Sequence, residues 1–480
     1  MTCISYLVSN NKLKNTTILE NENTITTTNP TTGETLEHYA LMSDEQVTTA
    51  IEKSHKAFDS WRKKSFEQRG EIITQLGKTL QEHKERLAKL MTDEMGKLLS
   101  QSKQEVDLCT AICDYCANNA AEVLKNEHRT LDDGGKGIIT YAPIGIVYGI
   151  QPWNYPSYQV IRYAITNLMA GNSILLKHAG NVSGTAQLLE ALFEKGGLPK
   201  DLFTVLIIDH DQSDTVINHK LVRGVTLTGS PGAGEVIGKK AGNALKKTVL
   251  ELGSNDAYIV LADADIEKAV EKCVKGRIYN NGETCIAAKR FIVVAEVYEA
   301  FKEGFVKAMS ELKMGDPTKE ETELGPMARE DLRETLHEQV NNSVANGAQI
   351  LCGGKIPEGK GYYYPATVLA SVDPGQPAYD DELFGPVASL IKAKDTADAM
   401  RIANDSRFGL GGGIFTKDEE KAIQLAKNEF DTGMVFINSF GLANPNMPFG
   451  GVKDSGYGRE HGGFGLKEFV NIKAIMISDD

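Results

Sequence analysis

Threonine and asparagine crowd the first forty residues, and TTTNPTTGE (26–34) reads as a turn between two short strands. Ser43-Asp44-Glu45-Gln46 then has capping-box form, a hydroxyl and a glutamine placed to satisfy free amides at a helix start. From there to about residue 118, apolar side chains recur at helical spacing, with Val47, Ile51, Phe58 and Trp61 on apolar faces and charges between them. The Lys- and Glu-rich stretch 81–103 fits a solvated helix face.

Beyond Asp133-Gly134-Gly135 the period changes. GIITYAPIGIVYGIQPW (137–153) reads as strand, turn, strand. A repeating unit follows: strand NSILLK (172–177), a helix over 181–197, strand LFTVLI (202–207), a shorter helix and strand GVTLTG (224–229). Helix 235–248, strand AYIVLA (257–262) and helix 266–279 continue it, and the alternation resumes with FIVVAE, two helices near 301–312 and 331–346, QILCGG and GIFT. Strands alternating with helices of this length indicate parallel βαβ units. Two such layers, each of about 200 residues, predict an α/β protein of two Rossmann-like domains. The tail KEFVNIKAIMI (467–477) alternates like a strand, and such a tail joins a sheet, its own or a partner subunit's.

Composition narrows the function classes. The 480 residues are 41% hydrophobic and 24% charged, ordinary globular usage, with a net charge of −13. Nucleic acid and anionic membrane reward a basic face, so neither is the expected partner. No run approaches the ~18 apolar residues that span a bilayer, and MTCISYLVSNNK lacks the basic and apolar regions of a secretory signal. A cytoplasmic location is expected. Seven cysteines scattered over the chain do not suggest a disulfide framework. Cys109, Cys113 and Cys116 share one helical face, but without a nearby histidine they read as small core residues rather than metal ligands, and no metal is expected.

Four constellations carry candidate chemistry. Thr228-Gly-Ser-Pro-Gly-Ala-Gly234 lies between a strand and a helix, which fits either phosphate binding at a helix N-terminus or a plain tight turn. Cys285, in NNGETCIAAKR, is either an exposed nucleophile or a buried thiol. Glu251 ends an apolar run, a costly place for a carboxylate unless it is paired or functional. Asn154, in QPWNYP, either donates to an oxyanion or closes a turn.

QPWNYP (151–156), LLKHA (175–179), TGSPGAG (228–234), LELG (250–253), GETC (282–285), DELFGPV (381–387) and PFGGVKDSGYGRE (448–460) occur in the order and spacing of the aldehyde dehydrogenase superfamily. The chain resembles that family throughout its length. The resemblance implies that Cys285 attacks the aldehyde, that Asn154 and the Cys285 amide hold the oxyanion, and that Glu251 activates the water that hydrolyses the thioester. It implies cofactor contacts from Trp153 and Lys177 along the adenine ribose, Gly229, Ser230 and Gly234 at the pyrophosphate turn, and Glu382 with Phe384 at the nicotinamide ribose. Gly180 stands where NAD-preferring members often carry a glutamate that repels a 2′-phosphate, so NADP or NAD is expected, with NADP slightly favoured.

Arg162 matches the arginine that grips the distal carboxylate in succinate-semialdehyde dehydrogenases, and LKHA resembles a bacterial branch of those enzymes. Succinate semialdehyde is therefore the expected substrate, with Arg162, Tyr155, Tyr158 and Phe449 around it; the alternative is a broad dehydrogenase of small uncharged aldehydes. Three positions depart from the common pattern: Ser254 breaks the usual ELGG, Tyr279 replaces a second substrate arginine, and Ala287 excludes a Cys-x-Cys redox pair at the nucleophile. The implied organisation is a cofactor-binding domain from 1–124 and 142–250 and a catalytic domain over 251–440. Segments 125–141 and 441–480 form a small β oligomerisation arm, giving a homodimer or homotetramer.

Overall fold

The computed structural model describes residues 24–478; Cys3 lies outside them. The turn predicted in the threonine-rich start joins strands Thr24–Thr28 and Thr35–Ala40. The capping box at Ser43 forms as read, Ser43 accepting from Gln46 N while the Gln46 side chain accepts from Ser43 N, and it opens helix Asp44–Trp61. Helices Phe66–Glu82, Lys84–Met95 and Leu99–Val123 follow. The last of these buries Cys109, Cys113 and Cys116, and burial pushes all three thiols up. They pack in one core with Ile73, Leu80 and Ile165.

Two parallel sheets form the frame. The first runs, in spatial order, Gly456–Tyr457, Lys247–Glu251, Val222–Thr228, Ile146–Gln151, Ser173–His178 and Phe203–Val205, with only Gly456–Tyr457 antiparallel. The second runs Gln349–Cys352, Thr367–Ala370, Val387–Ala393, Arg290–Val294, Ala257–Val260, Gly412–Phe415 and Phe436–Ile437, with only Gln349–Cys352 antiparallel. Strands covered by helices on both faces need apolar side chains at every position, which is why NSILLK and FIVVAE read as continuous runs.

Strands Lys136–Pro143 and Ile146–Gln151, adjacent in sequence, part into different sheets. The first joins Glu127–Thr130 and the tail strand Val470–Ile477 in a separate antiparallel arm. The tail strand begins later than the alternation predicts, because Phe464–Glu468 forms a short helix that buries Leu466, and Phe469 fills the space beside Gly224. Its outer edge has no neighbouring strand among the described residues, and Ile472 and Met476 are 61% and 73% exposed.

The helical layer is tied to the first sheet by a buried charge. Glu105 Oε1 accepts from the amides of Ser157 and Tyr158, at 2.8 and 2.9 Å, at the free start of helix Tyr158–Ala170. Its other oxygen pairs with Lys97, which is also buried and lies 3.7 Å over the Tyr155 ring. Removing one partner leaves the other as an unpaired charge in the core, so Lys97→Met is expected to cost about 3–5 kcal/mol in urea denaturation. Lys103→Ala, which breaks the exposed pair with Glu85, is expected to cost about 0–1 kcal/mol under the same conditions.

Candidate active site

Cys285 follows a tight turn, Tyr279–Gly282, in which Asn280 and Asn281 adopt left-handed backbone, φ 56° and 57°. Asparagine tolerates that region better than most residues, and Gly282 completes the turn at φ +77°. A Cβ on Gly282 would meet the Gly385 backbone at 2.4 Å, so the turn is pressed against DELFGPV. Asn281 locks it from outside, donating to the carbonyls of Gly96 and Pro326 and accepting from Gly325 N.

The PWNYP loop meets this turn. Asn154 Nδ2 donates to Glu283 O at 3.0 Å, while Asn280 Nδ2 donates both to Asn154 O and to Glu283 O. The bond to Glu283 O is the one hydrogen bond Asn154 Nδ2 makes among the described residues, so its second N–H is available to donate, as an oxyanion donor must be. His178, the unusual residue of LLKHA, straps the same loop, its ring nitrogens lying 2.8 Å from Pro156 O and 3.2 Å from Gln151 O. Burial holds that imidazole down at about 4, and it stays neutral.

Cys285 stands on the wall of two cavities. One, of about 250 Å³, has Tyr155, Tyr158, Tyr279, Thr284 and Phe449 on its wall. The other, of about 240 Å³, has Trp153, Asn154, Gly229, Ser230, Glu382 and Phe384. Trp153 and Phe384 meet edge to face, 5.8 Å between centroids. Ser230 caps helix Pro231–Asn243, and Glu382 sets a buried carboxylate in an otherwise largely apolar wall, 2.6 Å from where a Gly253 Cβ would stand. A ribose diol satisfies such a carboxylate, so the second cavity fits the nicotinamide end of a dinucleotide. Gly180 faces a third, open hollow beside Ile25, Arg329 and Tyr362.

Four expected residues are not on the walls of these cavities. Lys177 is half-buried, and burial lowers its ammonium. Gly234 is in the first turns of helix Pro231–Asn243, where a Cβ would meet the Leu252 side chain at 2.5 Å, so any larger residue there would have to displace that leucine. Glu251 is buried with neither carboxylate oxygen hydrogen-bonded. Arg162 is 1% exposed, ion-paired with Glu460, donating to Thr228 Oγ1 at 3.0 Å and stacked between Phe449 and Tyr158. Tyr158 and Phe449 thus line the first cavity, with the guanidinium behind them. The sequence expectation did not foresee this, because the competing carboxylate comes from the far end of the chain. His461 closes the same layer, its neutral Nε2 accepting from Tyr158 Oη at 3.0 Å.

Electrostatics around the thiol follow from burial. Burial pushes Cys285 up to about 12, opposed by Arg162 and Lys289 and reinforced by Glu251 and Glu382. Burial likewise raises Glu251 to about 8, with Arg162 opposing and Glu460 adding to the rise. Burial works against the Arg162 cation, yet Glu460, Tyr158 and Glu251 hold it above its ordinary value. Sequence reasoning missed Glu460, Lys289 and the Glu105–Lys97 pair. A buried lysine or glutamate looks like any surface charge until its partner is known.

The model of the aldehyde dehydrogenase family matches residues 18–475, and the chain belongs to that family. It is 45% identical over 447 residues to a succinate semialdehyde dehydrogenase [NAD(P)+] of Escherichia coli K12, covering 93% of this chain and 96% of that one. It is 42% identical to a succinate-semialdehyde dehydrogenase [NADP(+)] of Mycobacterium ulcerans, covering 94% and 99%. A crystal structure of succinic semialdehyde dehydrogenase from Streptococcus pyogenes with NADP+ superposes with a TM-score of 0.93 at 37% identity, over 95% of this chain and 100% of that one. No helix among the described residues is long and apolar enough to cross a membrane.

With its carboxyl raised to about 8 by burial, Glu251 is increasingly protonated below that pH and so less available there as a base for water. Thioester hydrolysis is therefore expected to rise with pH through about 8, with a burst of reduced cofactor at pH 6.5 before a slower steady state. Glu251→Gln is expected to keep the burst and lower the steady-state rate by ~10²–10⁴, read by stopped-flow absorbance.

Proposed function

We propose that the protein oxidises succinate semialdehyde, or a similar ω-carboxy aldehyde, to the carboxylic acid through a thiohemiacetal and then a thioester on Cys285, with NADP or NAD accepting the hydride. The observation that carries this reading is the place of Cys285, shared between a tyrosine-lined cavity and one bearing Trp153, Glu382 and Phe384. Relatives named for this substrate, at 45% and 42% identity over nearly the whole chain, support it. In the proposed sequence of events Cys285 adds to the carbonyl, and Asn154 Nδ2 with the Cys285 amide receives the oxyanion. Glu251 then takes a proton from water as the thioester opens. Glu382 and Phe384 set the nicotinamide end, with Gly229 and Ser230 at the pyrophosphate and Lys177 near the adenine ribose.

The proposed division of labour gives cofactor binding to 1–124 with 142–250, catalysis to 251–440 and assembly to 125–141 with 441–480. A homodimer or homotetramer is supported by the open edge of Val470–Ile477. A cytoplasmic site of action agrees with the acidic balance of −13.

Arg162 sets the choice between this substrate and the second reading, a broad dehydrogenase of small uncharged aldehydes. The second reading is favoured by the cover that Tyr158 and Phe449 place over the guanidinium. Steady-state kinetics with succinate semialdehyde and butanal separate the two. Wild type is expected to prefer the charged aldehyde, and Arg162→Ala to lose that preference by about 1.5–3 kcal/mol in kcat/KM. An equal loss on both substrates would assign Arg162 to holding Glu460 and leave the broad reading. Gly180→Glu is expected to raise the KM for NADP at least ~10-fold while sparing NAD, since it restores a like charge against the 2′-phosphate. Its Cβ meets Ile25 Cγ2 at 3.0 Å, so the hairpin must yield slightly to admit it.

A further inference from the structure

Behind the nucleophile lies a lysine that neither the implied chemistry nor the cofactor contacts use. Lys289 is 2% exposed at the head of strand Arg290–Val294. Its Nζ donates to Cys285 O at 2.7 Å, to Ser254 Oγ at 2.8 Å and to Thr284 O at 3.2 Å. The same ammonium lies 3.2 Å from Glu382 Oε1. Ser254, the residue that breaks the common ELGG pattern, donates its own hydrogen to Cys285 O. That departure and the buried lysine therefore belong to one arrangement: two donors converge on the nucleophile's carbonyl, and the lysine is shared with the cofactor carboxylate.

We propose that Lys289 is a positioning residue serving both halves of the site, its single buried charge fixing the Cys285 carbonyl beside Ser254 and acting as counter-ion to Glu382. Holding the carbonyl fixes the peptide plane that follows the nucleophile and with it the setting of the thiol. Burial pushes the Glu382 carboxyl up, and pairing with Lys289 opposes that rise, favouring the ionised form that accepts from a ribose hydroxyl. The groups facing this ammonium are Glu382 and Asp256; Arg277, behind Glu382, donates to Gly282 O at 2.6 Å and is brought down to about 9 by burial. The groups acting on the thiol are Arg162, Lys289, Glu251 and Glu382. Lys289 is the one member that bonds the nucleophile's own residue and also pairs with the cofactor carboxylate.

The inference rests on reading Cys285 as nucleophile and Glu382 as cofactor ligand, and its test needs no aldehyde. The full-length protein and the variants Lys289→Met, Lys289→Gln and Ser254→Gly are compared, each first shown to melt cooperatively. The rate of Cys285 alkylation by iodoacetamide, located by mass spectrometry, is measured at pH 8 without cofactor, and NADP binding is followed by quenching of tryptophan fluorescence. If the wild type shows neither alkylation at Cys285 nor NADP binding, the reading of the site itself fails. Given both in the wild type, the two Lys289 variants are expected to slow alkylation about 10-fold and weaken NADP at least ~10-fold. A glutamine amide can still donate to Cys285 O, so an effect common to Met and Gln belongs to the charge. Ser254→Gly keeps the charge and is expected to retain the wild-type alkylation rate and affinity. An unchanged rate and affinity in both Lys289 variants, or the full effect reproduced by Ser254→Gly, would overturn the proposal.

Discussion

The site depends on one buried carboxylate at its edge. Glu105, on helix Leu99–Val123, ties the free amides of Ser157 and Tyr158 to the helical layer. Those amides begin the helix that carries Tyr158 and Arg162, and they end the loop that carries Asn154. Without an acceptor they would be buried donors, each costing about 1–3 kcal/mol. With it, the loop is fixed at one end by Glu105 and in its middle by Glu283 O and Asn280, and His178 holds Pro156. The loop from the first sheet and the Cys285 turn next to the second are thus hydrogen-bonded to each other, backbone to side chain, on both sides of the same gap.

Much of this frame was legible. Parallel strands that must be apolar on both faces announce themselves, and so does a capping box such as Ser43–Gln46, because its information is local. The Cys285 turn, the Asn154 loop and the glycine turn were legible for a related reason: each lies in a short motif beside a strand, and the order of the motifs along the chain was itself the signal. Gly234 is expected at the pyrophosphate turn, and in the structure it also packs closely on the Leu252 side chain, a contact between segments that its own neighbourhood does not reveal. What the sequence hid was non-local. That Arg162 meets Glu460, and Lys289 meets Glu382, depends on how distant segments converge, and nothing in either neighbourhood encodes the partner.

Among the described residues, three ion pairs have both side chains less than a fifth exposed: Lys97–Glu105, Arg162–Glu460 and Lys289–Glu382. All three border the cavities that meet at Cys285: Glu105 and Glu382 are on their walls, and Arg162 lies directly behind Tyr158 and Phe449. Elsewhere in the chain the pairs are exposed on at least one side, such as Lys103–Glu85 and Arg401–Asp398. A buried pair is seldom a stability device, since apolar side chains of similar size serve as well or better. What a charge pair supplies instead is direction. It fixes a guanidinium, an ammonium or a carboxylate at a set place, with a set proton count, in a medium where misplacement is costly. The concentration of such pairs around one thiol, and the apolar packing elsewhere, as in the layer of Ile259, Ile292 and Leu369, is the distribution expected of a fold that gives up some stability to hold reactive groups in position.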